Sequence, residues 1–204
     1  PAITKYFDLF DKFFVFDADD LKLHPNFNFT TNFYFDDLIS SETDFEKNSI
    51  FFVGSAMKDR LGVLNKIALN LKKFGLIPNF FIYNFGRNKL DGNKNNNFQL
   101  IVESLSFKDS ILKMQQSEFL LDMYNPAHNG LSFRVFEIVG YKKKLITNNA
   151  LVKEYDFYHP NNIFVFSGED FSGLQEFVNS PYELLEKEIY EKYSFTNWII
   201  NMLN

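Results

Sequence analysis

"SIFFVGSAMKDRLGVLNKIALNLKKFGLIPNFFIYNF", residues 49–85, decides the fold. Its first seven residues are a short apolar run that ends in Gly54 and Ser55, the pattern of a strand buried on both faces. Leu61, Leu64, Ala68 and Leu71 then recur at helical spacing between charged residues, and Gly75 followed by Pro78 supplies a stop signal. A second apolar run, "NFFIYNF" at 79–85, follows at once. Strand, amphipathic helix and strand make a βα unit, because parallel strands can be joined only through such a crossover.

The same alternation continues to the C-terminus. After the polar loop "GRNKLDGNKNNN", "FQLIVES" at 98–104 predicts a third strand. Ser106 and Asp109 stand as an S-x-x-D cap for a helix through Ile111, Leu112 and Gln115. "EFLLDMY" at 118–124 reads as a strand, "NPAHNG" as a turn and "LSFRVFEIVGY" at 131–141 as a helix. "KKLITNN", "NIFVFS" and two helical stretches around Gln175 and Glu186 complete the series. The predicted class is α/β, a doubly wound, mostly parallel Rossmann-like sheet. Residues 1–48 differ: "KFFVFDADD" at 12–20 reads as a strand and "FNFTTNFYFDD" at 27–37 alternates with period two. They predict the end of a preceding domain or connector strands, with the main domain over 49–204.

Composition bounds the function. With 204 residues, 46% hydrophobic and 23% charged, the chain can bury a substantial core. No apolar run of about 18 residues is present, so no transmembrane helix is expected. A formal charge of −5 argues against nucleic acid as a partner, since that affinity rests on Lys and Arg neutralising phosphates. The absence of cysteine excludes disulfides and thiolate chemistry, and accords with the cytoplasm as the expected compartment.

In an open α/β sheet ligands gather at the carboxyl ends of the strands, where helix N-termini converge. Three loops qualify: "VGSAMKDR", "ESLSFKD" and "NPAHNGLSFR". The last is richest in chemistry. Asn129, Gly130, Leu131 and Ser132 form a turn into a helix, so free N–H groups and a hydroxyl make an anion cradle. Arg134 adds a cationic fork suited to phosphate, and Glu137 can accept two hydrogen bonds from a vicinal diol such as a ribose. The alternative is a capping serine, a turn glycine and an intrahelical Arg134–Glu137 pair. His128 lies in the same turn and either faces solvent or donates to a phosphate.

"LLDMYNPAHNGLSFRVFEIVGYKKKLITNN", 120–149, resembles the donor-binding half of bacterial GT-B glycosyltransferases, especially those that assemble lipopolysaccharide, lipooligosaccharide or capsule. "FFVGSAMKDRLGVLNKI" is similar to the first βα unit of that domain, and "SLSFKDSILKMQQSEFLLD" to the unit holding the nucleobase. The resemblance runs from about Phe7 to the C-terminus and covers only the C-terminal domain of such an enzyme. It implies a nucleotide-diphosphate sugar as substrate, a glycan or lipid-linked acceptor, no metal or other cofactor, and an N-terminal partner domain. Glu137 would take the ribose, the Gly130, Leu131 and Ser132 backbone the diphosphate, and Arg134 or Arg60 the phosphate charge. Gly54 and Ser55 would sit in the phosphate loop, with Leu105, Ser106 and Phe107 near the nucleobase. Retaining members often carry two glutamates eight positions apart, but the earlier position is Asn129 here.

Other motifs compete. Asp17, Asp19 and Asp20 follow an apolar strand, as in the metal-binding D-x-D of GT-A transferases or the D-x-D of haloacid-dehalogenase phosphatases, with Thr147 as a phosphate-holding partner. Only sixteen residues precede Asp17, too few for the GT-A nucleotide unit, while Leu21 and "SGED" fit the phosphatase pattern poorly. A solvated strand end is the simpler reading. His24, His128 and His159 share no ligand spacing. Lys142, Lys143 and Lys144 read as a solvated turn, or else as an attraction to an anionic donor or to lipid at the inner face of the cytoplasmic membrane. A Rossmann-like interaction module without a donor site is the non-enzymatic alternative.

Overall fold

The computed structural model describes residues 3–39, 44–56, 60–84 and 97–204. In chain order the strands and helices are β1 (Phe13–Val15), β2 (Phe27–Phe29), β3 (Glu46–Ser55), α1 (Arg60–Lys73), β4 (Ile77–Tyr83), β5 (Gln99–Ile101) and α2 (Phe107–Gln115). They continue as β6 (Ser117–Asp122), α3 (Phe133–Tyr141), β7 (Lys144–Thr147), β8 (Ile163–Val165), α4 (Leu174–Asn179), α5 (Lys187–Lys192) and α6 (Phe195–Leu203). β3 to β8 form one parallel six-stranded sheet in the order β5-β4-β3-β6-β7-β8. The predicted doubly wound α/β fold is the observed one.

Strand periodicity sorts the core into two layers. In β3, Ile50 and Phe52 turn to the face covered by α1 and α4, where they meet Leu64, Leu71, Leu174 and Phe177. Phe51 turns to the opposite face with Ile111, Met114 and Val135 of α2 and α3. On α1 the buried residues are Leu64, Ile67, Ala68 and Leu71, one stripe at i, i+3, i+4 and i+7. The helix stops where Gly75 takes φ +79°, a left-handed position that glycine occupies without penalty. Pro78, expected to lie between elements, is inside β4. It is tolerated because β5 pairs with β4 only from Phe81 onward, which leaves that flank of the strand open. At α2, Asp109 N–H donates to Ser106 Oγ at 3.1 Å, and the Ser106 hydroxyl donates to the Asp109 carboxylate at 2.6 Å.

β1 and β2 pair in parallel as a separate two-stranded sheet. The period-two pattern of 27–37 predicts one long strand, yet β2 stops at Phe29 because the next residues are used to lace the chain together. Asn32 Nδ2 donates to Leu131 O at 2.8 Å, Tyr34 N–H to Tyr193 O at 3.0 Å, and Trp198 Nε1 to Thr31 O at 2.8 Å. The Tyr34 ring lies so close to Gly140 that a Cβ there would fall 2.1 Å from it. Gly140 is therefore a packing requirement of α3.

The Lys142–Lys144 run is not the solvated turn expected. Lys142 is exposed and caps α3 in a left-handed conformation, φ 52°. Lys143 is buried and donates to Gln115 O, the last residue of α2, at 2.5 Å. Lys144 is buried and donates to Phe177 O, to Ser180 O at 2.7 Å and to Ser180 Oγ at 3.1 Å, at the end of α4. Both ammonium groups donate to carbonyls at a helix C-terminus, the negative end of the helix dipole. Two of the three lysines are thus withdrawn from any lipid surface. No helix among the described residues is long and apolar enough to cross a membrane.

Candidate functional site

The strand order reverses between β3 and β6, and a crevice opens at their carboxyl ends. Its volume is about 370 Å³, and Arg60, Phe107, His128, Gly130, Ser132, Arg134 and Glu137 share its wall. Glu137, Ser132 and Arg60 therefore meet in one place although 77 positions of sequence separate the first from the last.

At the N-terminus of α3 the backbone is left open. Ser132 occupies the N-cap position but its side chain makes no capping bond. Its hydroxyl instead donates to Asp122 Oδ1 at 2.6 Å, and the other oxygen of that buried carboxylate accepts from Thr147 Oγ1 at 3.1 Å. The serine hydroxyl expected to face outward is thus drawn down onto the end of β6. Among the described residues none accepts the N–H groups of Gly130, Leu131 or Ser132. Three unspent amides at a helix start, with the partial positive charge of the helix behind them, favour an anion.

Arg134 reinforces that field. Its guanidinium lies over Phe52 at 5.6 Å, its Nη1 reaches Val53 O at only 3.4 Å, and its buried Nε has no partner. Arg134 and Glu137 make no ion pair within 4.0 Å, so the intrahelical pairing that would have explained both is not formed. Burial raises the Glu137 carboxyl above its ordinary pKa, with the Arg134 charge opposing and Asp122 adding to the shift. His128 Nε2 lies 3.3 Å from Asn125 Nδ2, while its Nδ1 is buried without a partner. Orphaned buried polar atoms are rare in folded proteins, and two border this one crevice.

Other expected residues have different duties. Gly130 is glycine because Phe16 covers it: a Cβ would fall 2.4 Å from the Phe16 ring and 2.8 Å from its carbonyl. The Leu131 side chain belongs to the core. Asn129 donates its N–H to Asp17 Oδ2 at 2.7 Å and its Nδ2 to Asp19, and accepts from Tyr124 OH at 3.1 Å. These contacts fix the orientation of the Asn129 side chain, which keeps one amide N–H and one oxygen lone pair uncommitted. Ser106 is exposed and committed to Asp109, away from the crevice wall. Leu105 is half-buried outside that wall too. Gly54 and Ser55 end β3 beside the crevice without lining it, a Cβ on Gly54 falling 3.6 Å from Arg60 Nη1. Residues 57–59 of the expected phosphate loop lie outside the described residues.

The aspartate motif has a structural role. Asp17 is 7% exposed and accepts from Asp19 N–H at 2.9 Å as well as from Asn129, so it ties the N-terminal segment to the turn before α3. Thr147 bonds to Asp122 on the neighbouring β6, whereas Asp17 follows β1 in the separate sheet. The adjacent-strand geometry required of a phosphatase pair is not present. Sequence reasoning missed Asp122 and Tyr124, though a carboxylate closing an otherwise apolar strand in "EFLLDMY" was the available signal.

No protein-family model and no curated protein matches the sequence. Solved structures do, and they place the chain in a fold class: its α/β Rossmann-like architecture is one found in glycosyltransferases. It is similar to the crystal structure of TarM, at TM-score 0.60 and 16% identity over 99% of this chain and 44% of that one. The apo lipopolysaccharide outer core galactosyltransferase WaaB matches at TM-score 0.59 and 11% identity, over 100% of this chain and 64% of that one. A glycosyltransferase from Rickettsia africae ESF-5 matches at 0.56 and 12%, over 100% and 66%. The chain thus spans from under half to about two-thirds of these structures, and at such identities the likeness establishes the fold.

Proposed function

We propose that this chain is the C-terminal, donor-binding domain of a GT-B glycosyltransferase that moves a sugar from a nucleotide-diphosphate donor to a surface-polysaccharide or lipooligosaccharide acceptor. The observation that carries the reading is the convergence of the Gly130 and Ser132 segment with its open amides, two arginines and one unpaired carboxylate on a single crevice at the β3/β6 switch point. The Gly130, Leu131 and Ser132 N–H groups hold the diphosphate, Arg60 and Arg134 neutralise it, and Glu137 accepts the ribose hydroxyls. Phe107, exposed on the crevice wall, offers a face to the base.

The chemistry follows from what changes during transfer. As the glycosidic bond breaks, negative charge grows on the departing diphosphate, and donors fixed beforehand stabilise that charge without reorganising. Arginine and helix dipole supply what a divalent ion would supply elsewhere, so the reading requires no metal. The acceptor and any catalytic base would come from an N-terminal partner domain, with the assembly working in the cytoplasm at the inner face of the membrane.

Calorimetric titration with UDP, GDP, ADP and CMP, each in magnesium and in EDTA, tests this. Selective binding of one nucleotide that survives EDTA is expected. Binding that requires magnesium contradicts the metal-free reading, and no binding of any nucleotide favours an interaction module that kept the fold without the site.

A further inference from the structure

A second, larger cavity of about 660 Å³ adjoins the crevice, and the two share Tyr124 and Asn149. That volume falls in the range of about 300–1,000 Å³ usual for small-molecule sites. Its walls come from three parts of the chain: the N-terminal segment, the turn before α3, and the stretch from the end of β7 to the end of α5. Their chemistry is unlike that of the first crevice. Phe16, Phe29, Tyr124 and Tyr155 contribute rings, and the charged groups are Asp19, Glu154, Asp156 and Lys192.

Lys192 donates to Asp156 at 2.6 Å, and Tyr193 OH donates to the same carboxylate at 2.6 Å, so the one cation that the described residues bring to the wall is spent locally. Asp19 is held by Asn129 Nδ2 and by the exposed Lys22, while Glu154 is exposed and enters no ion pair among the described residues. The cavity therefore keeps net negative charge beside flat apolar rings. A pyranose has the matching features: a C–H face that packs on an aromatic ring and hydroxyls that donate to carboxylates. A carboxylate on the sugar would meet the unpaired Glu154, while among the described residues Lys22 and Lys192 are already held by Asp19 and Asp156.

We infer that this cavity is a saccharide subsite that takes an uncharged or amino-bearing pyranose and excludes a uronic acid. Its place beside the nucleotide crevice rests on the donor-site reading, but its selectivity rests on its own walls. The sugar is either the glycosyl half of the donor or the terminal residue of the acceptor.

Saturation-transfer NMR on the whole chain, with methyl hexoside, methyl 2-amino-2-deoxyhexoside and methyl hexuronoside, tests the inference. The neutral and amino sugars should receive transfer and the hexuronoside none. Glu154→Gln should weaken the amino sugar at least fivefold, and Glu154→Lys should admit the hexuronoside. Equal binding of the hexuronoside to the unaltered chain, or no transfer to any saccharide, overturns it. Added UDP- or GDP-sugar separates the two sources: displacement of the glycoside identifies the donor half, and retention identifies the acceptor. A parallel titration with the nucleoside diphosphates keeps the readings apart, since its failure breaks the donor site while leaving the saccharide result standing.

Discussion

Just beyond the C-terminus of α3, Lys144 is 4% exposed and its ammonium meets two carbonyls and a hydroxyl. In the first turn of the same helix, Arg134 has a buried Nε with no acceptor, and its best neutral contact is 3.4 Å long. One cation is buried and the other half-buried on a crevice wall, and their accounts are opposite. Lys144 is satisfied by the chain and fastens α4 to the sheet, whereas Arg134 is left wanting an anion that the chain does not supply. Burying a charge is costly unless it is paired, so the unsatisfied member of such a pair marks where a ligand belongs.

Breaking each side separately sharpens this contrast. Arg134→Met should lower nucleotide affinity by about 1.5–3 kcal/mol, the usual worth of a hydrogen bond to a charged group, while the melting temperature holds or rises. Lys144→Met should do the reverse. It removes the donor of the Ser180 carbonyl at the end of α4 and should cost about 1–3 kcal/mol in denaturant unfolding, with nucleotide affinity unchanged in calorimetry.

Glu137 adds a pH dependence whose sign can be worked out. Its pKa is raised in the folded chain, so between the ordinary glutamate value and the raised one the folded state holds a proton that the unfolded state has lost. Folding stability therefore falls as pH rises through that window, while nucleotide affinity rises because the carboxylate is then free to accept ribose hydroxyls. Glu137→Gln should weaken binding about tenfold, roughly 1.4 kcal/mol, and flatten both profiles. The smallest effect on binding is expected at Ser106. Its loss in Ser106→Ala removes a cap, about 0.5–2 kcal/mol of stability by thermal melting, and leaves nucleotide affinity as it was.

The fold was legible because its signals are local. The apolar run of β3 and the helical spacing in α1 and α3 each span under 15 residues, and the Ser106–Asp109 cap lies within a single turn. The crevice was legible in part, since strand ends and a helix start can be located from the same patterns. What the residues do there was less so. Asn129 is held by Asp19, 110 positions away, Gly130 answers to Phe16, and Gly140 answers to Tyr34. The burial of Lys143 and Lys144 depends on the ends of α2 and α4, which no window around the KKK run contains. Contacts between distant segments decided each of these roles.

The claim that everything else depends on is that the open amides before α3 receive the diphosphate. Backbone-amide NMR of the chain titrated with the nucleoside diphosphate that calorimetry selects tests it directly. The account predicts that the Gly130, Leu131 and Ser132 resonances move furthest downfield and saturate together with the Arg134 Nε signal. Saturable binding that leaves those four signals in place while others shift would contradict it.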